Sequence, residues 1–353
     1  MSGTSLDGLD VAYCEFEFKK SWRFKLLSGK MFPYSAKWKE KLSNAHHLPG
    51  EFLMNLHGEY GRLMGKCCLQ FMRQHSVRHV DLVASHGHTI FHQPEKRFTF
   101  QLGDGASLHA TTGLPVVFDF RTLDVALGGQ GAPLVPVGDK LLFSPYDVCL
   151  NLGGIANLSM DIKGKRKAFD ICFCNMALNY LMMSINRSFD RDGKLASSGS
   201  INTPMLKACT RLYSSYRKTR PSLAREMFEK QWKPLLDDAR VPLADRLCTV
   251  CESVAREIVR SIPSTKKRVK MLATGGGAFN AFLINLLIEK LKDRAEVIVP
   301  PQSIIEFKEA LIFAFLGVLR VRNEVNVLKS VTSACRDSCS GTLVGVHLQI
   351  RAE

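Results

Sequence analysis

Three glycine-rich turns, each joined to a strand-like run, constrain this chain more than any other feature. The first is M-S-G-T-S-L-D-G-L-D at 1–10, leading into the run Val11–Phe16. The second, C-L-N-L-G-G-I-A-N-L-S at 149–159, repeats the strand–turn–strand pattern. The third, A-T-G-G-G-A-F-N at 273–280, follows a strand and opens a helix. Glycine lets a backbone turn tightly and bring its N–H groups against phosphate, and hydroxyls add donors. Asp7 cannot bind phosphate directly, but a carboxylate there can hold a magnesium ion or its waters. The first two units read as β-hairpins, one in each of two lobes, able to grip a polyphosphate. The third suits an adenine ring lying on backbone, or a phosphate at a helix N-terminus. A single glycine turn at a strand end is usually structural; three in this order are far more specific.

Around these turns, strand-like runs at 80–84, 115–118, 148–152, 269–272 and 297–299 alternate with helical stretches at 51–74, 243–260, 278–293 and 306–322. Alternation of this kind predicts an α/β fold. A length of 353 residues exceeds what one core usually serves, so two domains are expected. Hydrophobic content of 46% and charged content of 23% are ordinary for a globular protein. The net charge of +15 is spread along the chain without interleaved aromatics, which argues against nucleic acid and for solubility or anionic small molecules. Eleven irregularly spaced cysteines suit a reducing compartment, and Cys248-x-x-Cys251 falls on an amphipathic helix as packing thiols rather than metal ligands. No apolar run reaches membrane-spanning length, and no secretory signal precedes the glycine-rich start. The expectation is a cytoplasmic protein.

The stretch 85–139 is dense in polar residues that packing does not require. S-H-G-H-T-I (85–90) follows a strand, D-F-R (119–121) ends another, and G-G-Q-G-A-P-L-V-P (128–136) follows. Loops ending at one sheet edge with His, Gln, Asp and Arg suit a polyhydroxylated ligand, because sugars need many paired donors and acceptors. His86 and His88 lack a nearby carboxylate or cysteine in metal-site spacing, so hydrogen bonding is the preferred reading over ligation. Asp170, before a helical run, is open to two readings: a general base aimed into a cleft, or a helix N-cap. Glu309 stands near the start of a predicted helix, where an acid also complements the dipole.

Taken in order, these segments together with N-L-G-G-I-A-N (151–157), G-G-G-A-F-N (275–280) and F-K-E-A (307–310) resemble the anhydro-N-acetylmuramic acid kinase family across residues 1 to about 345. The resemblance implies the two-lobed actin/hexokinase-like ATPase fold with an inter-lobe cleft, its N-terminal lobe at 1–145 and its C-terminal lobe at 146–353. The C-terminal end would pack back on the first lobe. It implies a double reaction in which water opens a 1,6-anhydro bridge at C1 while the released O6 takes the γ-phosphoryl of ATP. Asp170 matches the family's catalytic base, and Glu309 the acid associated with Mg2+ and water. Gly3, Thr4, Ser5, Asp7 and Gly8 match the first phosphate loop. Asn151, Gly153, Gly154 and Asn157 match the second, with Gly275, Gly276, Gly277 and Asn280 near adenosine. His86, Asp119, Arg121 and Gln130 are the expected sugar-side residues, Arg121 being the candidate cation for a lactyl carboxylate. Homodimerisation is implied by the resemblance alone.

Three departures from the family pattern stand out. Relatives read D-T-G-P-G-N where this chain has Asp170-Ile-Cys-Phe-Cys-Asn175, which predicts an altered backbone around the sugar. The segment 218–226 keeps its closing Arg225-Glu226 without the glycine usual before it. Family members also carry a strand and a glycine ahead of M-S-G-T-S, so the first lobe is expected to lack its first, central strand, leaving neighbouring strands with unpaired backbone groups. Two alternatives stay open at this point: a kinase for another anhydrosugar such as levoglucosan, and a folded, non-catalytic nucleotide- or sugar-binding relative.

Overall fold

The computed structural model describes residues 1–3, 6–263 and 267–345. Thr4 and Ser5, expected in the first phosphate loop, lie outside the described residues. The chain divides into two units, Met1–Leu142 with the chain from Phe307 onward, and Phe143–Glu306. Both are α/β, as the alternation of runs predicts.

In the first unit β1 (Gly8–Phe18) and β2 (Trp22–Pro33) form an antiparallel hairpin, and an antiparallel bridge between Ser2 and Leu9 folds the N-terminal residues back along β1. Short strands follow: β3 (Val83–Ser85), the hairpin β4 (His88–Gln93) and β5 (Phe98–Leu102), and β6 (Val116–Phe118), which pairs parallel to β3. The helix Gly50–Gln74 buries Leu56, Tyr60, Met64 and Phe71 on one face. Its Gly61 and Gly65 permit close approach to the helix Gly105–Thr112. A Cβ at Gly61 would sit 2.4 Å from the Asp104 carbonyl oxygen, and one at Gly65 2.6 Å from Thr111 Cβ. The neighbouring helix is itself capped by Asp104, whose carboxylate accepts from the Ser107 amide at 2.7 Å.

The second unit is built on a five-stranded sheet, order β11-β10-β7-β8-β9, from β7 (Val148–Leu152), β8 (Ile155–Ile162), β9 (Lys165–Phe173), β10 (Val269–Thr274) and β11 (Ala295–Ile298). Strands β7, β10 and β11 are parallel, and β7-β8-β9 form an antiparallel meander. Val148, Leu150, Leu152, Met271 and Ala273 are fully buried, as continuous apolar strands covered on both faces must be. The helices Leu243–Ser261 and Ala281–Leu291 contribute Leu247, Val254, Leu283 and Leu287 to the same core. Cys248 and Cys251 are buried on the first of these helices, in keeping with packing thiols. The chain re-enters the first unit within the helix Gln302–Val321 and adds β12 (Thr342–Val344) antiparallel to β6. Among the described residues no helix is long and apolar enough to cross a membrane.

Strand β1 pairs with β2 and β3 with β6, while β1 and β3 do not pair with each other. Among the described residues the first unit thus holds three small sheets, β1-β2, β12-β6-β3 and β4-β5.

Candidate active-site residues in each unit

In the second unit, the ends of β7, β9 and β10 bring three glycine- and asparagine-bearing segments together. The tight turn at Gly153-Gly154 joins β7 to β8, so the expected hairpin is present. Its carbonyls are used: Gly154 accepts from the amides of Cys174 and Met176 at 2.9 and 3.1 Å, and Gly153 from Asn175 at 3.1 Å. Asn175 also donates its side-chain amide to the Leu152 carbonyl at 3.0 Å. The turn at Gly275–Gly277 packs against the end of β7. A Cβ at Gly275 would fall 2.4 Å from Asn151 Oδ1, and one at Gly277 2.7 Å from Leu152 Cβ. Gly275 and Gly277 thus meet a packing demand first. Gly154 and Gly276 are different: both are exposed, and a Cβ would come no nearer to another atom than 3.9 and 3.4 Å, so their backbone is open to a ligand. Asn280 caps the helix Ala281–Leu291, accepting from the Leu283 amide at 3.0 Å, which makes its first role structural. Asn157 lies opposite Asp170 in the β8–β9 ladder.

Asp170 lies inside β9, and the residue at the N-cap of the helix Asn175–Met183 is Cys174, so Asp170 is not a helix cap. Its Oδ2 accepts from the Leu223 amide at 2.9 Å, while Oδ1 has no hydrogen-bond partner among the described residues. Burial raises its pKa above the ordinary carboxylate range, and the Leu223 amide opposes that rise. A carboxylate held by one oxygen and made more basic by desolvation is suited to taking a proton. Leu223 lies in the segment 218–226 that departs from the family pattern. A backbone donor leaves no residue-type signature, which is why sequence reasoning missed it. Ile171–Phe173, expected as an altered loop, are instead the buried end of β9. The Phe173 amide is held by Tyr213 Oη at 3.0 Å, and Trp232 and Phe228 pack edge-on against the Phe173 ring.

In the first unit, Arg121 is the centre of the polar cluster. Its Nε donates to His86 Nε2 at 3.0 Å and its Nη1 to the Gly131 carbonyl at 2.6 Å. His86 Nδ1 lies 3.0 Å from the Gly87 carbonyl, so the proton belongs on Nδ1 and the ring is neutral. Burial and the Arg121 charge hold the His86 pKa well below its ordinary value. Burial brings Arg121 down to about 10, opposed by the charges of Glu309 and Asp124. Asp119 has a left-handed backbone (φ 54°) and turns its carboxylate back onto the Thr122 hydroxyl at 2.6 Å. Gln130 is exposed, with its backbone N–H donating to the Thr332 carbonyl at 2.8 Å. His88 bonds Ser2 Oγ through Nδ1 at 3.0 Å; Ser2 also accepts from Tyr34 Oη, which meets Tyr60 Oη at 2.6 Å. That buried chain of hydroxyls ties the first loop to β4 and to the helix Gly50–Gln74, and was not foreseen. Among the described residues no three His, Cys, Asp or Glu side chains gather as a metal site.

Glu309 is exposed and stands two turns into a helix that begins at Gln302, earlier than periodicity predicts. It is therefore no first-turn acid, and complementing the helix dipole does not explain it. Next to it, Lys308 Nζ meets Asp139 at 2.8 Å in a buried ion pair. Gly3 and Asp7 are exposed at the start of the hairpin, and Gly8 opens β1 against the carbonyl of Phe32, 2.4 Å from where a Cβ would sit.

The second unit thus pairs open glycine backbone at Gly154 and Gly276 with a carboxylate made more basic by burial, and the first unit carries a histidine–arginine cluster. The family model for anhydro-N-acetylmuramic acid kinase matches residues 1–345. Relatives of that name are similar over nearly their whole length. The protein of Sulfurimonas denitrificans is 31% identical over 97% of this chain and 97% of its own, and that of Vibrio cholerae 32% over 97% and 96%. That of Gloeobacter violaceus is 34% identical over 95% of each. The chain belongs to the anhydro-N-acetylmuramic acid kinase family.

Proposed function

We propose that this protein is an ATP-dependent kinase that opens the 1,6-anhydro bridge of anhydro-N-acetylmuramic acid and phosphorylates O6, giving N-acetylmuramic acid 6-phosphate. The observation that carries the reading is Asp170, held by the Leu223 amide through one oxygen, with the other free and its basicity raised by burial. In this reading Asp170 takes a proton from water as the water oxygen bonds to C1. The C1–O6 bond breaks, and O6 bonds to the γ-phosphorus as the bond to the ADP oxygen breaks. Phosphoryl transfer asks the protein mainly for positioning and charge stabilisation. The open backbone at Gly154 and Gly276 fits a phosphate or nucleoside, with Asn151, Gly153, Asn157, Gly275, Gly277 and Asn280 shaping those turns. Gly3, Asp7 and Gly8 serve as the phosphate loop of the first unit, a role that Thr4 and Ser5 share.

Glu309 is exposed and lacks a packing or dipole role, which fits an acid that holds Mg2+ through water; magnesium usually keeps several waters and needs only one or two carboxylates beside the substrate phosphates. His86, Asp119, Arg121 and Gln130 bind the sugar, with the Arg121 cation available to its lactyl carboxylate. Cytoplasmic peptidoglycan recycling is the setting proposed, and a homodimer the assembly. The test is a coupled ADP-release assay with the muramic and gluco anhydrosugars, with and without Mg2+. ADP release with the muramic sugar is expected. Release with the gluco sugar alone would reassign the substrate, and no turnover with either by folded protein would overturn the kinase reading.

A further inference from the structure

His57 is half-buried where the helix Gly50–Gln74 meets the turn after β5, and it takes two backbone N–H groups of that turn. Gly103 donates to the His57 ring at Nδ1, 2.9 Å away, and Asp104 donates to the His57 carbonyl at 3.1 Å. A backbone N–H can only donate, so Nδ1 carries no proton and the ring is neutral, with its proton on Nε2. Any residue type could supply the carbonyl; the bond to buried Gly103 needs a side chain with an acceptor at that place.

The turn so held backs the histidine–arginine cluster. Gly103 has φ +125°, and a Cβ on it would lie 2.5 Å from Met64 Cε and 3.5 Å from Gly87 Cα. Gly87 is pressed by the same turn: a Cβ there would fall 2.4 Å from the Leu102 carbonyl oxygen. The Gly87 carbonyl in turn accepts from His86 Nδ1, and His86 Nε2 accepts from Arg121. An unbroken run of contacts therefore leads from the His57 ring through Gly103, Gly87 and His86 to the Arg121 guanidinium. Groups packed this closely do not shift singly. Burial lowers the His57 pKa, and the carboxylates of Asp104 and Asp119 oppose that fall. Strand β5 offers the ring only Phe100, at 5.1 Å, and has no charged residue; on the helix of His57 itself, Glu59 is engaged by Lys41. A proton on Nδ1 would set two N–H groups against each other and strip the Gly103 amide of its acceptor.

We propose that His57 is a positioning residue of the sugar-side cluster: its neutral imidazole fixes the turn Leu102–Asp104 against Gly87 and so sets the orientation of His86 and Arg121. It acts through these groups and not on the sugar itself. Its effect on sugar binding rests on the reading of His86 and Arg121 as sugar-side residues; its hold on the turn does not.

The test compares the parent chain with His57→Asn and His57→Leu. Asparagine can place Oδ1 where Nδ1 stands and does not titrate, whereas leucine offers no acceptor. At about pH 7.5, where a free imidazole is neutral, His57→Leu is expected to speed amide hydrogen exchange at Gly103 by about tenfold or more. It is also expected to raise KM for the muramic anhydrosugar by about tenfold, with kcat changed less than about threefold. His57→Asn is expected to restore both, which a role in ring packing alone would not allow. The parent carries a further test that needs neither a variant nor turnover. Between about pH 7.5 and 5.5 its Gly103 amide resonance is expected to follow the titration of the His57 ring, with a midpoint below about 6.5. Asn as impaired as Leu, no change in either variant, or a Gly103 amide that ignores the His57 titration overturns the proposal. Absence of turnover by the folded parent counts against the kinase reading; Gly103 exchange and its rescue by Asn then still decide the place of His57.

Discussion

The buried carboxylate of Asp124 accepts a 2.7 Å hydrogen bond from the hydroxyl of Thr332, more than two hundred residues further along the chain. Its second oxygen accepts from the Gly131 amide, also at 2.7 Å. One side chain thus clamps the G-G-Q-G turn to a late segment of the same unit, and Arg121 grips that turn from the other side through the Gly131 carbonyl.

Replacing Asp124 by Ala leaves the buried Gly131 amide unpaired and leaves the Thr332 hydroxyl only its long 3.4 Å bond to the Leu328 carbonyl; an unpaired buried group costs about 1–3 kcal/mol. Asp124→Ala is therefore expected to lower unfolding free energy by roughly 3 kcal/mol, and Thr332→Val by about 1 kcal/mol. Urea unfolding of the full chain measures both. Equal, negligible losses would show that the clamp holds nothing.

Asp170→Asn keeps an acceptor for the Leu223 amide but removes the base. ADP release with the muramic anhydrosugar is expected to fall by about 10²–10⁴-fold without loss of fold. Because burial raises the folded-state pKa, the ionised side chain destabilises the folded protein above that pKa, and the penalty disappears as pH falls through it toward the unfolded value. The Asn variant is thus expected to be the more stable protein at pH 7, with the difference closing toward about pH 4. Unchanged activity in Asp170→Asn would remove the base assignment while leaving the family membership intact.

His86 has the opposite sign. Its folded-state pKa lies well below that of a free imidazole, so stability is complete above the unfolded value of about 6.5 and is lost as pH falls below it, where the unfolded chain takes up the proton first. Unfolding free energy is expected to drop between about pH 6.5 and 5 in the parent, and less steeply in His86→Gln. Urea titrations across that range compare the slopes; parallel curves would exclude His86 as the source.

Arg121 donates in two directions from one planar group, to His86 and to Gly131. A lysine ammonium cannot reproduce that fork. Arg121→Lys is expected to raise KM for the sugar by about tenfold or more, with a smaller change in kcat, because positioning is lost rather than the base. Steady-state kinetics on the two anhydrosugars separates the terms. A fall in kcat alone would place Arg121 in the chemical step.

Much of the architecture was legible because it is written in local periodicity. The apolar runs at 148–152 and 269–272 are the central strands β7 and β10, and the helices at 51–74 and 243–260 appear within a residue of their expected ends. The glycine turns were found by type and order, and the turn at Gly153-Gly154 is the hairpin its sequence predicts. The beginning of the helix at Gln302 was missed because Pro300-Pro301 and the polar residues after them carry no apolar rhythm. Similarly, the segment after Asp170 read as a loop from its lost glycines, yet Tyr213 and the aromatic rings around Phe173 hold it as strand. Tertiary packing outweighed the local pattern there.

By itself the sequence determined the α/β class, the three glycine turns, the family and the residue types that carry the chemistry. These depend on neighbours a few positions apart, whose spacing sets which face they share and which backbone angles they tolerate. Only the tertiary structure decided the state of those residues. It gave Asp170 a backbone partner at Leu223, made His86 neutral beside Arg121, and tied Asp124 to Thr332. Burial and hydrogen bonding between distant segments set pKa and orientation, and no one-dimensional pattern records which distant backbone amide will arrive beside a carboxylate.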